Sequence, residues 1–149
     1  MINMKRLLFT TSFLFSIALA LSGQVSDTFV SACIMNIGKD AKYLKDYRIE
    51  LGKATTANQR ELRYKTNISL WKNTKYRFTM CSTDDSKGQL FVNLKDNNRK
   101  IELTSYDRKT GRTYQFVDFV CNKSGIYELS YDFTNGQGGS GVGVVSIVK

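Results

Sequence analysis

Leu62-Arg63-Tyr64-Lys65-Thr66-Asn67-Ile68-Ser69-Leu70 alternates without a break, with Leu62, Tyr64, Thr66, Ile68 and Leu70 on one parity and Arg63, Lys65, Asn67 and Ser69 on the other. A side-chain period of two is that of a strand with one buried face and one wet face. Lys72-Asn73-Thr74 then reads as a turn, and the same period resumes in Tyr76, Phe78 and Met80, ending at Cys81. Ser82 to Gly88 is a hydrophilic loop. Beyond it Leu90, Val92 and Leu94 form another inward face, closed by the turn Asp96-Asn97-Asn98.

Working outward, Tyr47, Ile49 and Leu51 predict an earlier strand, and Ile101 with Leu103 a short one ended by Asp107 to Gly111. From Thr113 to Cys121 both parities carry apolar residues, which predicts a central strand. Tyr127, Leu129, Tyr131 and Phe133 give the cleanest alternation, and Val142 to Val148 supplies a last strand. Short strands joined by Gly, Asn and Asp turns predict a mainly β fold, an eight-stranded two-sheet β-sandwich or jelly roll. Before the strands, Ser26 and Asp27 are helix-capping residues. Phe29, Cys33 and Ile37 recur every four positions up to Gly38, so a short N-terminal helix is expected over 27–38.

The N-terminus carries the basic residues Lys5 and Arg6, an apolar stretch from Leu7 to Leu21, and small residues after it. This is the pattern of a secretory signal peptide over 1–23, with cleavage expected after Ala20 or Gly23, followed by one domain over 24–149. The apolar stretch is short of the roughly 20 residues a bilayer span needs. An exported protein, periplasmic or extracellular, is expected. The full chain has a formal charge of +9, and removal of Lys5 and Arg6 leaves +7. Such a charge favours anionic partners, namely an acidic glycan, a lipid head group or an acidic envelope protein. The basic residues are scattered among acids, which argues against a nucleic-acid partner.

The chain contains no His, so His-based triads, His zinc ligands and imidazole bases are excluded. Asp84 and Asp85 are the one adjacent carboxylate pair, and on a hydrophilic loop they read as turn residues. The Gly136-Gln137-Gly138-Gly139-Ser140-Gly141 stretch has dinucleotide-site spacing, but too few residues follow to form the helix that such a site requires. No cofactor is expected; calcium is the one with a chemical basis, because hard cations take oxygen ligands, and Asp84, Asp85 and Asp96 would be its candidate ligands. Trp71 has outward parity beside a turn. With Asp84, Asp85 and Lys87 of the 82–88 loop it forms the candidate contact set for a ligand. All three cysteines follow the leader. Cys81 and Cys121, each closing an alternating run, are the preferred disulfide, with three buried free thiols as the other reading. Cys33 is then a free or intermolecular thiol.

From about Leu51 to Lys149 the chain resembles the bacterial pre-peptidase C-terminal domain. The matching stretches are Lys75-Tyr76-Arg77-Phe78-Thr79-Met80, Gly88 to Asn98, and Ser124-Gly125-Ile126-Tyr127-Glu128-Leu129-Ser130-Tyr131. The resemblance implies a small jelly-roll module of the kind appended to secreted bacterial proteins, which accompanies varied enzymes and in many cases has no assigned role. With no His-based catalytic constellation in the chain, the functional expectation is a non-enzymatic accessory or binding module at the envelope or outside the cell. The alternatives are a structural envelope subunit that self-associates and a calcium-dependent carbohydrate-binding domain.

Overall fold

The computed structural model describes residues 24–55 and 61–149. The expected leader over 1–23 lies outside the described residues. Over these described residues the fold is mainly β and sandwich-like, with antiparallel pairing throughout and one short α-helix.

Ten strands are described instead of the expected eight: β1 Ala41–Leu51, β2 Tyr64–Leu70, β3 Lys75–Ser82, β4 Leu90–Lys95, β5 Ile101–Thr104, β6 Tyr106–Asp107, β7 Arg112–Thr113, β8 Phe116–Val120, β9 Gly125–Phe133 and β10 Gly139–Val148. One sheet has the order β1-β10-β3-β8 and another the order β2-β9-β4-β5. The additional pair, β6 and β7, consists of the two-residue arms around the turn Asp107 to Gly111, too short to leave a periodic signal. Both four-stranded sheets feed one apolar core. Tyr47, Ile49, Tyr76 and Phe78 enter it from the first sheet, and Leu70, Val92, Leu129, Tyr131 and Phe133 from the second.

The helix, α1, spans Asp27–Met35, three residues shorter than expected. Ser26 caps it, its hydroxyl accepting from the Phe29 N–H at 3.2 Å, and Asp27 sits in the first turn, where the helix dipole favours an anion. The chain leaves the helix at Asn36, before Gly38 is reached. The helix lies on the outer face of the first sheet, where Val30, Cys33 and Ile37 meet Val142 and Val144. This explains why β10 reads as a nearly continuous apolar run. Val145 faces the shared core, while Val142 and Val144 face the helix, so both sides of the strand are covered. Polar straps fix the helix segment in place. The Val25 N–H donates to Glu50 Oε1 at 2.7 Å, Arg48 pairs with Asp27, and Arg77 Nη1 donates to the Ile37 carbonyl and to Asp40, both at 3.0 Å.

The disulfide links Cys33 to Cys81, and Cys121 is the free, fully buried thiol. The expected Cys81–Cys121 pair is therefore wrong. Cys121 lies inside the shared core with its Sγ toward the Lys123 carbonyl and the Tyr127 hydroxyl. Cys81, at the far end of β3, meets the helix on the outer face. The pairing also removes Cys33 as a free or intermolecular thiol, and with it a covalent envelope subunit joined through that residue.

Two strand readings change as well. β1 begins at Ala41, well before Tyr47, because Tyr43 and Leu44 occupy an exposed, bulged stretch that breaks the alternation. β8, expected to be central, is the edge of its sheet. Its Val117 and Phe119 pack toward the core. On its other face Phe116 lies under the Arg77 guanidinium, 4.8 Å from the ring centre, and Val120 is exposed.

Candidate functional site

Consecutive antiparallel connections fall at alternate ends of the sheets, and this separates the residues that sequence reasoning grouped together. Trp71 follows β2, just before the 72–74 turn, whereas Asp84, Asp85 and Lys87 follow the opposite end of β3. Eight residues of strand place the two groups about 26 Å apart along the chain. Asp96 follows β4 and so lies at the Trp71 end. Asp84, Asp85 and Asp96 are thus not brought together for calcium. Among the described residues no cluster of three or more metal-ligating side chains occurs. Asp85 instead accepts from the Thr83 hydroxyl at 2.6 Å, and Asp96 accepts from the N–H groups of Asn98 and Lys100, both at 2.9 Å. These are turn roles. Lys87 is exposed, and its N–H is tied to the Gly138 carbonyl at 3.1 Å. The glycine-rich stretch enters β10 directly. Gly139 has no room for a Cβ beside Phe133 and Ser86.

Of the predicted contact residues, Asp84 does line a built feature. A groove of about 460 Å³ runs between α1, from Phe29 onward, the end of β3, the 82–89 loop and the 113–116 segment. Its volume lies within the roughly 300–1,000 Å³ of small-molecule sites. The Cys33–Cys81 disulfide forms one wall and fixes the helix there. On the opposite side stand Tyr114 and Phe116, 43% and 53% exposed. Guanidinium groups bracket both rings, Arg112 over Tyr114 at 5.1 Å and Arg77 over Phe116. Arg77 is itself held by Asp118, at 2.7 and 3.0 Å, which keeps that carboxyl below the ordinary carboxylate range. Amides and hydroxyls make up most of the rest, including Asn36, Gln89, Thr113 and Gln115.

At the floor lies Thr79, 3% exposed, whose Oγ1 has no hydrogen-bond partner among the described residues. A buried hydroxyl without a partner costs about 1–3 kcal/mol unless a ligand or water satisfies it. Sequence reasoning missed Thr79 because its outward parity reads as a solvated position, and nothing in the strand pattern reveals that a helix covers that face. Tyr114, at the groove, stands at the opposite end of the molecule from Trp71.

No family model matches the chain, and no curated protein is significantly similar to it. Its chemistry therefore has to be read from the groove. Neutral hydrogen-bonding groups dominate the lining, two aromatic rings stand exposed at the rim, and Arg112 has no carboxylate within ion-pair distance among the described residues. Such a lining suits a polar ligand that offers hydroxyls to the amides and a flat, weakly apolar face to a ring. Reduced access to water around Thr79 strengthens any hydrogen bond made there.

Proposed function

We infer that the protein is a non-enzymatic, exported binding module built as a β-sandwich of jelly-roll type over residues 24–149, and that the groove beside α1 takes a polar glycan. The buried hydroxyl of Thr79, which lines that groove and makes no hydrogen bond to the described residues, carries the reading, because a ligand hydroxyl in the groove could pair with it. Export agrees with the basic and apolar leader pattern and with a disulfide, which needs an oxidising compartment to persist. Among the described residues no helix is long and apolar enough to cross a membrane. The charge of +7 favours acidic over neutral glycans by long-range attraction. The resemblance to pre-peptidase C-terminal domains points the same way, toward an accessory module.

A binding screen of the protein on neutral and acidic oligosaccharides tests this. Retention is expected, with Phe116→Ala weakening it about tenfold through loss of ring stacking. Thr79→Val, which keeps the shape and removes the hydroxyl, is expected to weaken it while leaving the melting temperature unchanged or raised, because the orphaned hydroxyl disappears. Glycan binding indifferent to both substitutions would remove the groove from the function, and no glycan retained would end the reading.

A further inference from the structure

The opposite end of the molecule has a different surface. Four large apolar side chains are exposed at that end, Trp71 and Ile126 on the outer side of one sheet, Ile101 at the edge strand of the same sheet and Val120 on the outer side of the other. Trp71 follows β2 and is 69% exposed, Ile126 is on β9 at 63%, Val120 closes β8 at 56%, and Ile101 opens β5 at 51%. They are not loose tips. The Trp71 N–H donates to the Tyr76 hydroxyl at 2.9 Å, the Lys72 N–H to Ser124 Oγ at 2.7 Å, and the Asn73 N–H to the Cys121 carbonyl at 2.8 Å. The Cys121 N–H returns a bond to the Thr74 carbonyl at 3.0 Å, and the Tyr127 hydroxyl holds the Lys123 carbonyl at 2.6 Å. The 71–74 and 121–125 loops are thereby bound into one rigid rim that presents Trp71 and Ile126 outward.

Lys72 and Lys123 stand on the same rim, both exposed, with no carboxylate within ion-pair distance among the described residues. Two carboxylates line the cleft beside Lys123: Asp96, turned back onto the N–H groups of its own loop, and Glu102, paired with Lys100 at 3.9 Å. Lysine is depleted from the cores of protein–protein interfaces. Trp and aliphatic tips set among unpaired lysines are instead the composition of a surface that dips into the headgroup boundary while its ammonium groups meet lipid phosphates. The geometry points to this rim as a docking surface for an anionic lipid bilayer, with Trp71 and Ile126 entering the interface and Lys72 and Lys123 supplying the charge attraction. This surface goes beyond the glycan groove and is independent of it, since the two lie at opposite ends of the strands.

Trp71 is the one tryptophan in the chain, so its fluorescence reports the rim directly. The full-length protein is titrated with vesicles of pure phosphatidylcholine and with vesicles containing phosphatidylglycerol, and Trp emission and quenching by brominated acyl chains are followed. A blue shift and quenching are expected with the anionic vesicles and not the neutral ones. Both should weaken as added salt shortens the screening length. The pair Lys72→Glu with Lys123→Glu is expected to reduce the vesicle affinity more than about tenfold, and Ile126→Ser to reduce it with the charge unchanged. Circular dichroism of each variant checks that it folds. Vesicle binding with unchanged Trp71 emission would place the contact elsewhere in the chain and overturn the proposal. So would a blue shift that depends on protein concentration without lipid, which assigns the face to a second copy. Emission unchanged with every vesicle would also overturn it.

Discussion

The two ends of the sheets are fed by the same strands yet have opposite surfaces. At one end a helix and a disulfide roof over the outer face of β3 and leave a concave, amide-rich groove with a buried unsatisfied hydroxyl. At the other, hydrogen bonds between two turns push a tryptophan and an isoleucine out into water beside lysines. Concavity at the first end depends on an added element, α1, held by side chains and one covalent bond. Exposure at the second depends on two turns tied to each other by backbone bonds and by the hydroxyls of Tyr76, Ser124 and Tyr127, with no added element. The lesson is that the groove should be separable from the fold and the rim should not, and mutations can test that asymmetry.

The largest effect is expected from the disulfide. Cys33 and Cys81 are 48 residues apart, and in the chain-entropy description such a link is worth about 4 kcal/mol. Cys33→Ser with Cys81→Ser should lower the thermal midpoint substantially. Amide hydrogen exchange should rise in α1 and in the 82–89 loop well before it rises in the 71–74 and 121–125 loops. If both ends loosen together, the helix is part of the core's cooperative unit and the separation fails.

A second change strikes between the ends. Gly143 on β10 faces Tyr131, and a Cβ built there would stand 2.3 Å from the tyrosine Cζ and hydroxyl. Tyr131 is fully buried and packs with Tyr47 and Tyr64 at ring separations of 6.1 and 6.0 Å. Burial among these rings raises its pKa well above that of a free phenol. Gly143→Ala is expected to cost about 1–3 kcal/mol by overpacking, as measured by chemical denaturation. Unlike loss of the disulfide, it should destabilise groove and rim alike. A neutral outcome would mean that the tyrosine cluster can shift without loss.

Much of this architecture could be read from alternation alone. Tyr76, Phe78 and Met80, or Leu129, Tyr131 and Phe133, alternate because one face of their sheet is the core, and Trp71 showed its exposure by parity. The opposite placement of Trp71 and the 82–88 loop was also implicit in a single strand lying between two turns. What was hidden depends on contacts across the fold. Cys33 finds Cys81 and not a partner of its own because α1 lies on the outer face of the first sheet, an arrangement no local pattern encodes. The same covering turns Thr79 from a wet position into the floor of a groove. β8 misled because its apolar outer residues, Phe116 and Val120, imitate burial; Phe116 lies under the Arg77 guanidinium and Val120 is largely exposed.

The smallest effect sharpens the comparison most. Ser26 caps α1 through one hydrogen bond to the Phe29 N–H and touches neither sheet's core. Ser26→Ala removes that bond and should cost about 1 kcal/mol, the usual value of an N-cap. Because Phe29 lines the groove, fraying of the first turn should weaken ligand retention by more than the loss of global stability would produce at room temperature. Trp71 emission should meanwhile stay fixed. Ser26→Asp restores an acceptor and adds a negative charge at the positive end of the helix dipole, so it should recover both stability and retention. Retention restored by Asp and lost with Ala locates the sensitivity at the helix start. Identical retention in all three proteins would show that the first turn plays no part in forming the groove, and would confine the site to the strand ends and the 82–89 loop.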